Sequence, residues 1–300
     1  MTNERFVTTV VAFCLGLSSF GCSDGDSTPQ QGGAGPLGDC GGSKPDPYLR
    51  AGGIGVSDLD AASALLTGVL GMTREGPDIT REDRVERTFW AKEANRGSRV
   101  VLMKYADGRN TQDITAKIVF QARDVQATYQ SALDAGYASI IPPVTLGSIV
   151  VSQVRGPDGY TVEVLSGIDA EGAETAQPYF IALAFGVSDL TAARKFYANA
   201  FGMKETLPYS DGDLVEQTME YPTGGGGGLV LQHYDVTTHN YRDNPVKHVS
   251  YVPDVGSFVT RNTGAGGTLV QGPAPMPAYC NKLGAVLKDP DGYLIELIQG

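Results

Sequence analysis

The sequence predicts an α+β fold of four β-α-β-β-β units, arranged as two tandem domains. Two short sequence motifs, here called words, support this prediction because each occurs twice and in the same order. Gly55-Val56-Ser57-Asp58-Leu59 recurs 131 positions later as Gly186-Val187-Ser188-Asp189-Leu190. Pro157-Asp158-Gly159-Tyr160 recurs 133 positions later as Pro290-Asp291-Gly292-Tyr293. Two words repeated in order at nearly one spacing indicate a duplicated module, and each copy is long enough to bury a core.

Composition divides the rest of the chain. The first domain is predicted at residues 49–168 and the second at 178–300, and the linker 169–177 between them is small, polar and acidic. Residues 23–48 contain almost no apolar side chains, so we expect a disordered tether there. Residues 1–22 contain an apolar run of about a dozen residues, which is too short to cross a bilayer and is typical of a signal peptide.

The end of that segment, Ser19-Phe20-Gly21-Cys22, resembles the lipobox of bacterial lipoproteins, with Cys22 as the lipidated residue. Lipidation of Cys22 and simple cleavage of a secretory signal both stay open. Either one predicts an exported protein, periplasmic or anchored to the membrane of a bacterium. Cys40 and Cys280 would remain, and they either pair in an oxidising compartment or stay free. The flexible surroundings of Cys40 favour free thiols.

The charge of the chain constrains its partners. The formal net charge is -11, which repels nucleic acid and anionic membranes and concentrates cationic ligands. We therefore expect a small-molecule ligand, no nucleic acid, and membrane contact only through an N-terminal lipid.

Each unit is predicted to begin with a strand and a helix whose first amides are capped by an aspartate. The predicted helices are Ala61–Leu70, Val125–Ala135, Thr191–Phe201 and Val255–Thr263. Gly71 and Gly202 follow two of them and are typical of left-handed C-caps. The later strands that the pattern locates are Glu86–Lys92, Arg99–Tyr105, Ile149–Val154, Thr161–Leu165, Gln217–Tyr221, Leu229–Tyr234, Ala285–Lys288 and Leu294–Ile298.

The Val-Ser-Asp-Leu opening, the helix ending in Gly-Met and the closing Asp-Pro-Asp-Gly-Tyr-x-Ile-Glu-Leu hairpin resemble the vicinal oxygen chelate (VOC) superfamily. That superfamily includes glyoxalase I, bleomycin-resistance proteins and extradiol dioxygenases, and the resemblance covers both domains. It implies that paired units curl into half-open cups, one in each domain, with the chemistry inside. It also implies that the two domains pair within the chain.

Strand alternation after each repeated turn places Glu163 and Glu296 on the face opposite to the apolar side chains. In metal-binding relatives the matching glutamate is a metal ligand. The resemblance puts the other ligand places at Ala51 and Ala182, at Lys117 and Lys247, and near Leu102 and Leu231. Methyl groups and ammonium ions do not bind zinc, nickel or iron, so no cofactor is expected.

Lys117 and Lys247 have two interpretations. They form ion pairs with Glu163 and Glu296 that replace the metal charge and stabilise buried carboxylates, or they reach solvent at the starts of strands. The favoured hypothesis is an exported, metal-independent protein whose ligand cups contain these four residues. The expected ligand is cationic or aromatic.

The alternative hypothesis is a diverged metal-dependent enzyme of the lyase or dioxygenase type. It would hold zinc, nickel, iron or manganese on Glu296 and His248, with His233 as a further ligand. A shift of one residue would turn His248 towards Glu296. The sequence has three histidines and none in the first domain, and no nucleophile or general base is evident.

Overall fold

The computed structural model describes residues 46–91, 99–109, 111–112, 114–167, 177–223, 227–236 and 239–300. The predicted signal peptide, most of the tether and of the linker, and the cysteines Cys22 and Cys40 lie outside the described residues. Within the described ranges, no helix is both long and apolar enough to cross a membrane.

The described residues form four units in chain order. The first contains β1 (Tyr48–Gly55), α1 (Leu59–Ala64), β2 (Thr73–Thr80), β3 (Arg84–Trp90) and β4 (Arg99–Tyr105). The second contains β5 (Ala116–Gln121), α2 (Val125–Asp134), β6 (Ser139–Leu146), β7 (Ile149–Arg155) and β8 (Thr161–Ser166). The third contains β9 (Tyr179–Gly186), α3 (Leu190–Phe201), β10 (Lys204–Asp211), β11 (Leu214–Glu220) and β12 (Gly228–Tyr234). The fourth contains β13 (Val246–Val252), α4 (Val255–Gly264), β14 (Thr268–Met276), β15 (Lys282–Lys288) and β16 (Leu294–Gln299).

The predicted helix caps are present. Asp58 Oδ1 accepts hydrogen bonds from the amides of Asp60 and Ala61 at 2.8 and 3.1 Å, and aspartates cap the other three helices in the same way. Gly202 ends α3 with φ of 69°, the left-handed conformation that glycine adopts without strain. α1 ends earlier than predicted, and a π-helical turn (Leu65–Val69) follows it.

The sequence patterns did not locate four of the strands, and all four lie at sheet edges. They are β2, β6, β10 and β14, which end the two sheets. Edge strands tolerate proline because one side of their backbone needs no ladder partner. Each of the four contains proline and is interrupted by a register shift, which breaks the alternation of buried and exposed side chains.

Each of the two eight-stranded sheets combines one unit from each domain. One sheet has the order β14-β15-β16-β13-β1-β4-β3-β2 and the other β10-β11-β12-β9-β5-β8-β7-β6. The central strands β1 and β13 pair antiparallel, with Gly53 opposite Lys247, and β5 and β9 pair antiparallel, with Val119 opposite Ala182. The expectation of a separate cup within each domain is therefore wrong, because the first unit pairs with the fourth and the second with the third.

The repeated words connect the two sheets within each domain. Asp158 Oδ2 accepts a hydrogen bond from the amide of Ser57 at 3.0 Å, and Asp291 Oδ2 accepts one from the amide of Ser188 at 2.9 Å. The serines follow β1 and β9, whereas the aspartates lie in the turns before β8 and β16. The second word thus binds the first one, which explains why the two recur together.

The apolar side chains form one main core and two smaller clusters. The main core takes side chains from all four helices and from one face of both sheets. The opposite faces carry a cluster around Tyr48, Val101 and Tyr251 on one sheet and a cluster around Val119 and Ala184 on the other. These two faces, away from the helices, also carry the buried ionised side chains.

The loop between β14 and β15 contains a short 3₁₀ turn (Pro277–Tyr279) followed by Cys280. Cys280 is disulfide-bonded, so the expectation of a free thiol there is wrong. The other three cysteines of the sequence lie outside the described residues.

Candidate active site: two buried carboxylate and lysine clusters

Each sheet carries one cluster of ionised side chains on the face away from the helices. Cup A denotes the face of the β1–β13 sheet that carries Glu86, Lys247 and Glu296. Cup B denotes the face of the β5–β9 sheet that carries Lys117, Glu163 and Glu216. All six side chains are buried, so each cluster lies inside the protein and not on its surface.

In cup A the ammonium of Lys247 lies between two carboxylates. Lys247 Nζ is 2.9 Å from both Glu86 Oε1 and Glu296 Oε2, and the three side chains are 1–2% exposed. Gly53 on the neighbouring strand leaves space for this lysine, since a Cβ there would lie 3.1 Å from Lys247 Cβ. The lysine therefore lies across the sheet under β1.

Two arginines complete cup A. Arg84 Nε donates to Glu86 Oε1 at 2.6 Å, and Arg81 Nη2 donates to Glu296 Oε1 at 3.4 Å. The Arg81 side chain is 27% exposed, so it lies at the rim and closes the cluster from outside. With Asp83, which pairs with Arg84 at 2.7 Å, the ion-pair cluster of cup A holds three cations and three anions.

Cup B has the same centre and different neighbours. Lys117 Nζ is 3.2 Å from Glu163 Oε2 and 3.4 Å from Glu216 Oε1. Neutral amides take the place of the arginines: Gln153 Nε2 donates to Glu163 at 2.6 Å and Gln232 Nε2 donates to Glu216 at 2.5 Å. The cluster therefore holds two carboxylates against one ammonium.

The electrostatics favour the charged forms. Burial alone would lower the pKa of Lys117 and of Lys247, but the two carboxylates around each lysine outweigh burial and raise it. Burial would raise the pKa of Glu86, but Lys247 and Arg84 outweigh it and lower that pKa to about 2. Both lysines thus stay protonated at neutral pH, so neither is a general base.

Both clusters join the two domains. In cup A the first domain supplies Glu86, and the second supplies Lys247 and Glu296. In cup B the parts are exchanged: the first domain supplies Lys117 and Glu163, and the second supplies Glu216. Each lysine therefore forms one ion pair within its domain and one between domains.

Sequence reasoning missed Glu86 and Glu216, although a signal was present. Val85-Glu86-Arg87-Thr88 recurs as Val215-Glu216-Gln217-Thr218, an offset of 130 positions. The same offset of 130 separates Lys117 from Lys247. The ionisable residues that the two copies share at this offset therefore include both glutamates and both lysines.

The structure brings together some of the predicted site residues. The expected ion pairs of Lys117 with Glu163 and of Lys247 with Glu296 are present, and Ala51 and Ala182 lie on the cup faces. Leu102 and Leu231 do not face the cups, because both pack in the main core. Their neighbours Met103 and Gln232 face the cups, since alternation reverses the face at each residue.

The three predicted metal ligands of the alternative hypothesis do not meet. His248 lies beside the rings of Tyr197 and Phe201 of α3, on the face opposite to Glu296, with centroids 5.8 and 5.5 Å away. Burial lowers its pKa to about 3. His233 lies on the other sheet, where its Nδ1 is 2.8 Å from the carbonyl oxygen of Val187. A metal site with this ligand set is therefore not assembled.

Comparison with known protein families identifies the family of this chain. A family model described as the Glyoxalase/Bleomycin resistance protein/Dioxygenase superfamily matches residues 48–164 and 180–297. The chain belongs to this superfamily. The two matched segments are the two copies of the module, so this result confirms the predicted family and its tandem arrangement.

Individual members of the superfamily resemble most of the chain. Lactoylglutathione lyase GLX1 of Arabidopsis thaliana is 26% identical over 262 residues, which is 81% of this chain and 88% of the relative. A probable chloroplastic lactoylglutathione lyase of the same plant is 28% identical over 248 residues, covering 79% and 69%. The crystal structure of glyoxalase I from Zea mays has a TM-score of 0.67 at 21% identity and covers 84% of this chain and 92% of its own. A putative dioxygenase from Bacillus subtilis has a TM-score of 0.59 at 12% identity, covering 85% and 86%.

The donor atoms of both cups do not fit the divalent metal of metal-binding superfamily members. In each cup the lysine nitrogen, which remains protonated and has no free lone pair, contacts the two carboxylates that a metal would need. In the part of the chain that the structure describes, no three His, Cys, Asp or Glu side chains are grouped to hold a metal ion. The ammonium supplies the positive charge that the carboxylates require.

Proposed function

We propose that the protein is an exported, metal-independent small-molecule-binding protein with two ligand cups, each formed by both domains. One observation carries the proposal: a buried lysine lies between two carboxylates in each cup, where metal-binding relatives hold a cation. Buried carboxylates need such compensation, because an unpaired buried charge costs several kcal/mol. The lysines fix the cups in an assembled form without an added ion.

The charges of the two clusters favour different ligands. Among the described residues, the cluster of cup B has one carboxylate in excess of its cations, whereas that of cup A is balanced when Asp83, the second partner of Arg84, is counted. The expected cationic or aromatic ligand therefore suits cup B. Tyr234 supports this assignment, because it lies two residues after Gln232 on β12 and alternation places its ring on the same face of the sheet.

Export is supported by the disulfide at Cys280, because disulfides persist in oxidising compartments and are rare in the cytosol. The apolar run before Cys22 supports it independently. Mass analysis of the mature N-terminus tests this part. Removal of residues 1–21 is expected, and an intact Met1 in a cytosolic fraction would contradict export.

The ligand proposal is tested by calorimetry with benzylammonium and benzyl alcohol, which have similar size and differ in charge. In the wild type we expect the cation to bind more tightly. Glu163→Gln removes one anion of cup B and should weaken benzylammonium by about tenfold, the equivalent of 1.4 kcal/mol, with little effect on benzyl alcohol. Glu296→Gln in cup A is the matched control and should leave benzylammonium binding unchanged. Equal losses for both compounds would contradict the proposal.

A second candidate follows from the relatives, which are lactoylglutathione lyases. An assay for lactoylglutathione lyase activity, with zinc or nickel and then with chelator, decides between the two. We expect no activity above background in either condition. Chelator-sensitive turnover that disappears in Glu296→Gln would establish the lyase.

A further inference from the structure

Cup A contains a buried arginine that the ion-pair cluster does not use. Arg50 is 4% exposed and lies on β1 next to Ala51. Its guanidinium lies 4.5 Å from the centre of the Tyr251 ring and hydrogen-bonds the side chain of Tyr48. The Nε and Nη2 atoms are buried and have no hydrogen-bond partner. An unpaired charged donor at this depth destabilises the fold unless a bound group satisfies it.

A β-bulge places Arg50 and Ala51 on the same face of the sheet. The register of β1 against β13 shifts between Leu49 and Ala51, so Arg50 is the extra residue. Tyr48 lies on the cup face and Leu49 packs in the main core, so alternation places Arg50 on the cup face, and the shift places Ala51 on that face as well. With it, both residues line the same cavity of cup A. Bulges that turn a side chain in this way occur preferentially beside functional sites.

The cavity has the size and lining of a site for a compact polar group. Its volume is about 10 Å³, room for about one water-sized group. Its walls include Arg50, Ala51, Glu75 and Arg99. Glu75 receives two hydrogen bonds of 2.6 Å from Arg99. Among the described residues that form the wall, Arg50 is thus the cation that lacks an opposing carboxylate.

The free edge of Arg50 matches one ligand chemistry. Nε and Nη2 form one edge of the guanidinium and present two parallel N–H groups, the geometry that binds both oxygens of a carboxylate. The neighbouring ion-pair cluster is balanced, with three cations and three anions, so the guanidinium of Arg50 is the positive charge that a carboxylate would meet.

We infer that cup A binds a compact carboxylate through the Nε–Nη2 edge of Arg50. This inference rests on the proposed binding function and specifies the ligand class of one of its cups. The cavity has room for about one water-sized group, so formate, the smallest carboxylate, is the probe. Cup B lacks this site, because the position 131 residues after Arg50 is Ile181, which packs in the apolar cluster of that sheet.

The test measures the melting temperature of the full chain during a formate titration at constant ionic strength, with formamide as the neutral compound of equal size. We expect a saturable rise with formate and none with formamide, since a ligand that binds only the folded state stabilises it. Arg50→Lys keeps the charge and loses the two-nitrogen edge, and should weaken the apparent affinity by about tenfold or more. Arg155→Lys, at an exposed arginine outside the cups, should leave it unchanged.

A second measurement covers the case in which Arg50→Lys does not fold. In the wild type, formate should shift the ¹⁵N resonance of the Arg50 Nε–H group, and formamide should not. Equal responses to both compounds, or no response because water alone fills the cavity, would overturn the inference. If benzylammonium still binds cup B in that case, the proposed function stands without the carboxylate site.

Discussion

Replacing either cup lysine by methionine, which is close in length and uncharged, tests whether the ammonium ions hold the carboxylates in place. Breaking a buried ion pair by removing one partner costs about 3–5 kcal/mol. The two cups should differ within this range. After Lys247→Met, Arg84 still contacts Glu86 at 2.6 Å and Arg81 still contacts Glu296 at 3.4 Å. After Lys117→Met, Glu163 and Glu216 keep only the neutral amides of Gln153 and Gln232.

We therefore expect Lys247→Met near the lower end of about 3 kcal/mol and Lys117→Met near the upper end of about 5 kcal/mol. Urea unfolding at pH 7.5 measures both values. A matched control is Lys288→Met, because Lys288 pairs with Asp243 at 2.8 Å while the two side chains are 40% and 67% exposed. Surface pairs contribute less than about 1 kcal/mol.

The pH dependence adds a second check. Without an ammonium, the buried carboxylates of cup B bind protons more tightly in the folded state than in the unfolded state. Stability then increases as the pH falls. The loss caused by Lys117→Met should thus be smaller at pH 5 than at pH 7.5. Losses below about 1 kcal/mol in both cups, or the reverse order, would refute the assigned role of the lysines.

The remaining predictions concern His248 and the pairing of the domains. The pKa of His248 is lowered to about 3 by burial, so its protonation in the unfolded state reduces stability as the pH falls below about 6.5. The stability of His248→Leu relative to wild type should hence increase by about 2 kcal/mol between pH 7 and pH 5, at about 1.36 kcal/mol per pH unit. Urea unfolding at the two pH values measures this difference. A difference that does not change with pH would contradict a buried, neutral histidine. In a fragment of residues 178–300, β9 and β13 lack their partner strands β5 and β1. Light scattering of this fragment should therefore show a dimer or an aggregating species. A stable monomer would show that the second domain folds without the first.

The repeat predicted the unit and its count, because the repeated words fix where each unit begins and ends. It did not predict which units pair. The strands β5 and β13 open equivalent units and share a lysine at the same place, Lys117 and Lys247, so local patterns fit either partner for β1 equally well. Contacts between residues far apart in the sequence decide which strand pairs with β1. That is why a separate cup for each domain was the wrong expectation.

The candidate site was predicted in part for a related reason. The repeated hairpin identified Glu163 and Glu296, and the lysines followed from the ligand places of the superfamily. Glu86 and Glu216 lie on strands that supply no ligand place in that comparison. The placement of Arg50 and Ala51 on one face depends on a bulge, which shifts one residue without any composition signal.

The central claim is that a lysine ammonium takes the place of a metal ion in each cup. It is tested most directly by the melting temperature during a nickel titration of chelator-treated protein, for wild type and for Lys247→His. We expect no chelator-reversible rise in the wild type. A rise is expected in Lys247→His, where a ring nitrogen replaces the ammonium between Glu86 and Glu296. A chelator-reversible rise in the wild type that disappears in Glu296→Gln would contradict the account.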